Sequence, residues 1–177
     1  MLRLVKPSVK YKESFIKDFF PFMGKSRVKY ENLKKNFPGN AVKKNFPKFL
    51  KYIKEQEKGL NLPKGYIPQS VYWLVDGNKM LGWLSLRHYL NTNLRKMGGH
   101  IGYEIGPKYR GRGFGNAILK LGLKKARARG IARVFITCDE DNFKSKKVIE
   151  HHGGIAIKKF WMPQKKLYKL RYWIETK

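Results

Sequence analysis

The sequence predicts an α/β domain, a mixed and mostly antiparallel sheet flanked by helices, in one unit spanning residues 1–177. Three observations predict it. Short apolar stretches of strand length recur between turn residues, at 71–75, 80–86, 100–106 and 167–175. Apolar residues fall at helical spacing in 13–22, 46–53 and 114–129. The strand at 100–106 runs through a basic, glycine-rich turn into a helix and then a further strand, the order of a βαβ-like centre. With 42% hydrophobic and 14% aromatic residues, the chain can bury a sizeable core, and no linker, repeat or low-complexity tract divides it.

The elements follow in order. Residues 2–6 form a first strand. Residues 13–22 carry aromatics at helical spacing, and Pro21 and Gly24 are expected to stop that helix. Residues 24–40 are basic and polar, with Pro38-Gly39 as a turn. Phe46, Phe49, Leu50 and Ile53 make the apolar stripe of a second helix, with Pro47 near its start. Residues 60–68 read as a loop. Strands at 71–75 and 80–86 flank the hairpin turn Asp76-Gly77-Asn78. Residues 87–99 form a longer loop. Alternation in 100–106 places Ile101, Tyr103 and Ile105 on one face and His100, Gly102 and Glu104 on the other. A helix over 114–129 shows Asn116, Lys120, Lys124 and Arg127 as its exposed stripe and ends at Gly130. Residues 134–138 are a buried strand. The next helix begins near Asp141 and ends at Gly153-Gly154. Strands near 154–160 and 167–175 complete the chain.

The turn Arg110-Gly111-Arg112-Gly113-Phe114-Gly115 carries the chemistry. Amides at a helix N-terminus have no intrahelical partner, and the helix dipole adds positive potential there. Glycines let a phosphate approach that backbone, and arginines add charge-assisted contacts. The nucleotide loop G-x-x-x-x-G-K-S/T does not occur in the chain. The dinucleotide fingerprint G-x-G-x-x-G fails at its third glycine, since Gly111-Arg112-Gly113 leads to Asn116.

Arg110-x-x-Gly113-x-Gly115 fits the Q/R-x-x-G-x-G/A coenzyme A signature. On that signature the chain resembles the GCN5-related N-acetyltransferases (GNAT), clearly from Val71 to Gly154. The order of elements after the turn is similar too: a helix, the strand ARVFITC, then Asn142 and Ser145 opening a helix that ends HHGG. The stretch RHYLNTNLRKMGGHIGYEI also resembles a bacterial subgroup of the family. The resemblance implies a GNAT-like fold, acetyl-CoA as co-substrate and acetyl transfer to an amine by direct attack. It implies that the strand backbone at Glu104, Ile105 and Gly106 bonds the pantetheine arm. The turn Arg110, Gly111, Arg112, Gly113, Phe114 and Gly115 would take the pyrophosphate. Asn142 would contact the cofactor arm, and Ser145 matches a small residue common beside it. The acceptor's class stays open among a small molecule, a protein N-terminus and a lysine. A non-catalytic coenzyme A-binding or nucleic-acid or ribosome-associated module is the alternative.

Transfer to an amine needs a positioned thioester and a neutral amine. Glu104 and His100 are the base candidates, because they share the polar face of their strand. The glutamate of histone-modifying members would fall at Gly99 and does not carry over. The tyrosine acid of many members falls at Ile149, seven residues after Asn142, so the common acid is missing. Tyr103 is another candidate, though its face suits core packing. Cys138 reads as a buried small hydrophobe at the end of its strand. No metal site is expected, since His151 and His152 are adjacent and there is no cysteine cluster.

Net charge is +28, from 40 Lys and Arg against 12 Asp and Glu. Three explanations compete: a polyanionic partner such as RNA, DNA or the ribosome, an acidic substrate, or a lysine-rich composition. The basic residues are dispersed, which favours non-specific attraction over a dedicated site. No apolar run is long enough to cross a membrane and MLRLVKPSVKYKES has no signal-peptide core, so a cytoplasmic protein is expected. The single cysteine leaves no internal disulfide and suits a reducing compartment.

Overall fold

A computed structural model describes residues 1–23 and 31–176. The expected helix stop at Gly24 and the first part of the basic 24–40 segment lie outside the described residues. Two antiparallel sheets carry the fold. The first has the order β1-β2-β3-β4, built from β1 (Arg3–Val5), β2 (Gln69–Asp76), β3 (Lys79–Arg87) and β4 (Ile101–Ile105). The second has the order β5-β7-β6, built from β5 (Arg133–Asp139), β6 (Ile155–Met162) and β7 (Leu167–Glu175). The turn between β2 and β3 is the expected tight one, with Asp76 paired to Lys79 and Gly77 at φ +53°.

Helices cover the first sheet on both faces. On one side lie α1 (Lys12–Ser14), a wide turn at Phe15–Phe19, α2 (Phe20–Met23), α3 (Glu31–Asn36), α4 (Ala41–Lys44) and α5 (Phe46–Lys58). Their aromatics pack on Val71, Trp73 and Val75 of β2 and on Met80 and Trp83 of β3, and the Phe15 ring stacks on Trp73 with centroids 5.0 Å apart. Burying one such ring contributes about 2–3 kcal/mol over leaving it exposed. Pro21 does not end the first helical stretch. The Phe20 amide reaches back five residues to Phe15 O, and this widened turn relieves the clash a proline ring would otherwise make. Asn45 caps α5 by accepting from Lys48 N at 3.0 Å, which lets Pro47 sit harmlessly in the first turn.

On the other side α6 (Phe114–Ala128) packs Ile118, Leu119 and Ala126 against the even residues of β3 and the odd residues of β4. Gly122 makes this close approach possible, since a Cβ there would meet Leu84 Cδ1 at 2.5 Å. The stripe Lys120, Lys124 and Arg127 is exposed as expected, while Asn116 is half-buried. The final helix, α7 (Phe143–His151), packs on α6 and β5. Its cap is Asn142, within the expected start. The 87–99 loop is partly ordered by a wide helical turn at Leu94–Gly98, started by Asn91 Oδ1 accepting from Leu94 N at 2.9 Å. Among the described residues, no helix is long and apolar enough to cross a membrane.

Candidate functional site

The site is built where the two sheets meet. Gly99 carries φ +87°, and a Cβ there would lie 2.3 Å from Phe135 O. Only glycine permits this approach of the chain to β5. The His100 amide then donates to Phe135 O at 2.7 Å, and Phe135 N donates back to His100 Nδ1 at 2.9 Å. Gly99 and Ile136 form an isolated bridge, and the two sheets share no ladder beyond it among the described residues. The Arg87–His100 and Gly106–Leu81 hydrogen bonds fix the alternation along β4. The peptide groups of Gly102 and Glu104 therefore face β3, while those of Tyr103 and Ile105 face away from it, toward β5.

The turn after β4 is anchored from the first helical layer. Pro107–Tyr109 make a 3-10 turn. The Tyr109 hydroxyl donates to Asp18 Oδ2 at 2.9 Å, and Lys108 pairs with the same carboxylate. Burial pushes the Asp18 carboxyl up, but the Lys108 and Tyr109 hydrogen bonds outweigh it and hold it below its ordinary value. Gly111 and Gly113 both sit at φ +78°. Gly113 opens α6, so no side chain caps that helix, and its first turn holds no acid. The amides there point outward in the positive end of the helix dipole. Gly115 faces Val148, where a Cβ would stand at 3.3 Å, bringing α7 against the start of α6. Phe114 is half-buried on the core.

The two arginines of the turn part company. Arg112 is exposed. Arg110 folds back: its Nε donates to Ile105 O at 3.1 Å, its guanidinium lies 3.8 Å from the Glu104 carboxylate, and it covers the Phe22 ring at 4.7 Å. Sequence reasoning aimed both at an anion. Asn142 uses its Oδ1 to accept from Ser145 N at 3.2 Å, and Ser145 Oγ stands 3.4 Å from the Tyr103 hydroxyl.

The structure separates the two base candidates. Glu104 is buried and lies across from Trp83 on the face turned toward α5. His100 precedes the regular strand and escapes its alternation, because the Gly99 conformation turns the chain there. Its Nδ1 is occupied by Phe135 N, and burial pushes its pKa down to about 4. In the neutral ring the proton then sits on Nε2. His100 joins the sheets and is not brought together with Glu104. Ile149 is fully buried in the core. Burial pushes the Tyr103 hydroxyl up to about 12 and the Cys138 thiol up to about 11, so both keep their protons near neutrality. Among the described residues, no cluster of His, Cys, Asp and Glu is placed to hold a metal ion.

On the α5 side of the sheet lies a cavity of about 410 Å³, between Tyr52 and Gln56 of α5, Trp83, Ser85 and Arg87 of β3, and the turn at Leu94–Gly98. Sequence reasoning missed Gln56, Arg87 and the Asp18 anchor. The alternation of β3 was the available signal for Arg87, which follows Trp83 and Ser85 on one face. Asp18 had none, because its partners lie about ninety residues along the chain.

The model of the Acetyltransferase (GNAT) family matches residues 33–153. No curated protein matches the chain in sequence. In fold the chain is similar to the ribosomal-protein-S5-alanine acetyltransferase of Vibrio fischeri, at 17% identity and a TM-score of 0.65, covering 99% of this chain and 92% of that one. It is similar to RimJ of Mycobacterium smegmatis, solved with CoA-disulfide, at 14% identity and a TM-score of 0.70, covering 98% of this chain and 81% of that one. It is also similar to yncA of Salmonella typhimurium, solved with its cofactor acetyl-CoA, at 13% identity and a TM-score of 0.62, covering 100% and 94%. With the family model spanning well over half of its length, the chain belongs to the GNAT acetyltransferase family.

Proposed function

We propose that the protein transfers an acetyl group from acetyl-CoA to an amine by direct attack. The observation that carries this reading is the uncapped, acid-free start of α6, set where β4 and β5 diverge. The residues fit the cofactor. Gly111 and Gly113 leave the backbone open to a phosphate, Arg112 adds an exposed cation, and the Tyr103 and Ile105 peptide groups face the divergence. Two relatives of the same fold were solved with coenzyme A derivatives. Acetyl-CoA supplies an activated thioester carbonyl. Gly113, Phe114 and Gly115 would hold its pyrophosphate, and the Tyr103 and Ile105 peptide groups its arm. Gly106, expected from the sequence to join them, instead donates its amide to Leu81 O and accepts from Tyr109 N. Asn142 and Ser145 flank that path, although Asn142 Oδ1 is already used in capping.

Arg110 serves by fixing the turn. It ties Ile105 O to the Glu104 carboxylate and so holds the strand end and the helix start in register. Glu104 is the base assigned to the incoming amine, since it faces the cavity side of the sheet. Tyr103, protonated at neutral pH and set beside Ser145, is the assigned proton donor to the departing thiolate. Release of free thiol from acetyl-CoA in the presence of amines tests the reaction. Binding of acetyl-CoA without turnover of any amine would support the coenzyme A-binding module instead.

A further inference from the structure

The lining of the cavity on the α5 side is electrically lopsided. Among the described residues, Arg87 is the one charged side chain in it, and no carboxylate lines it. Tyr52, Tyr66, Asn91 and Asn93 supply neutral polar groups. Arg87 donates from Nη1 to Gly99 O at 3.1 Å and makes no ion pair with a described residue. Burial disfavours its charge, yet a guanidinium stays protonated. A half-buried cation with no counter-charge is costly unless something brings one. The Gln56 amide nitrogen, in the same wall, is also buried with no acceptor among the described residues.

Arg87 and Glu104 share one face of the sheet. Glu104 pairs with Trp83, Gly102 with Ser85, and Arg87 with the start of β4, so four residues of β3 separate the two ends. That is about 13 Å along a strand. Gly102 lies between them without a side chain, and its absent Cβ would stand 3.7 Å from the Arg87 guanidinium. The guanidinium therefore leans along the strand to stand over Gly102, two residues from Glu104, and the surface has a cationic end there and an acidic end at Glu104.

Resting on the transferase reading above, we infer that the acceptor is an amine that also bears a carboxylate, an amino acid or short peptide, with the carboxylate on Arg87 and the amine toward Glu104. The planar guanidinium suits a carboxylate in bidentate contact. A single cation among neutral amides and phenols matches one negative charge better than a doubly charged phosphate. A polyamine would find a cation where it needs acids. The cavity volume is of the size that holds a small ligand.

Matched acceptor pairs test this. Initial rates of thiol release from acetyl-CoA are measured with L-amino acids and dipeptides, with their carboxamides, with O-phosphoethanolamine and with spermidine. The expected result is that some acid exceeds its own carboxamide about tenfold or more in kcat/KM. Arg87→Met should remove most of that preference, lowering the rate with the acid about tenfold more than the rate with its carboxamide. A purely structural arginine would lower both rates together. Should Arg87→Met not fold, Ser85→Asp, which sets a carboxylate beside the guanidinium, should remove the preference in its place. Carboxamides as good as acids, a preference that persists in folded Arg87→Met, or phosphoethanolamine or spermidine outrunning every acid would overturn the inference. So would acetyl-CoA binding with no acid turned over, which leaves the cofactor reading standing. Failure to bind acetyl-CoA removes the transferase reading and this inference with it.

Discussion

His100 and Phe135 clasp each other in both directions. The His100 amide donates to the Phe135 carbonyl at 2.7 Å, and the Phe135 amide donates to His100 Nδ1 at 2.9 Å. This clasp pins one end of the divergence between β4 and β5, and so sets the width of the site beyond it. Because burial holds the His100 pKa at about 4, below its ordinary 6.5, the neutral ring is the one that fits. The unfolded chain takes up the proton first as pH falls. The stabilisation is therefore complete above pH 6.5 and is lost as pH falls from there through 4, about 3 kcal/mol in all. Urea unfolding across that range should show this slope in the wild type and a flatter one in His100→Gln. Parallel slopes in the two proteins would remove the clasp from the explanation.

Gly99→Ala should destabilise the protein by about 3 kcal/mol, through the left-handed backbone and the collision with Phe135 O. Any larger side chain, a glutamate included, meets the same collision at this position. A Gly99→Ala midpoint in urea equal to the wild type would contradict this packing.

Proton transfer is read from the pH profile. Glu104→Gln should lower kcat/KM about 10²-fold if Glu104 is the base, and should displace the rising limb. Tyr103→Phe should lower kcat by a similar factor. With the Tyr103 hydroxyl held near 12, the donor stays protonated, so no falling limb is expected below about pH 10. Near-wild-type rates in both variants would assign the protons to water or to other groups.

The +28 net charge makes a separate prediction. If it serves a polyanion, RNA should bind tightly at low salt and weaken steeply as salt rises. No binding at low ionic strength would leave a lysine-rich composition as the explanation.

Much of this was legible in the chain. The hairpin at Gly77, the α6 helix and its glycine turn depend on residues close in sequence, and each stood where expected. The stripe on α5 was read correctly because its period is local. The features that were missed depend on distant partners. Arg110 is drawn back by Glu104 and Ile105 O, and Tyr109 by Asp18, pairings that no local pattern encodes. His100 left the expected face because one glycine before it turned the strand, which simple alternation cannot foresee. Pro21 sat inside a helix because the preceding turn widened.

Acetyl-CoA titration into Gly113→Val tests the assignment of the cofactor site most directly. Gly113 holds φ +78° at the start of α6, with open space around it, so valine strains the local backbone without disturbing the core. Calorimetry should give measurable binding to the wild type. In the variant, with its fold confirmed by circular dichroism, affinity should fall about tenfold or more, as the amides at the helix start lose their alignment. Equal acetyl-CoA affinity in the two folded proteins would contradict the assignment of the α6 N-terminus as the cofactor site.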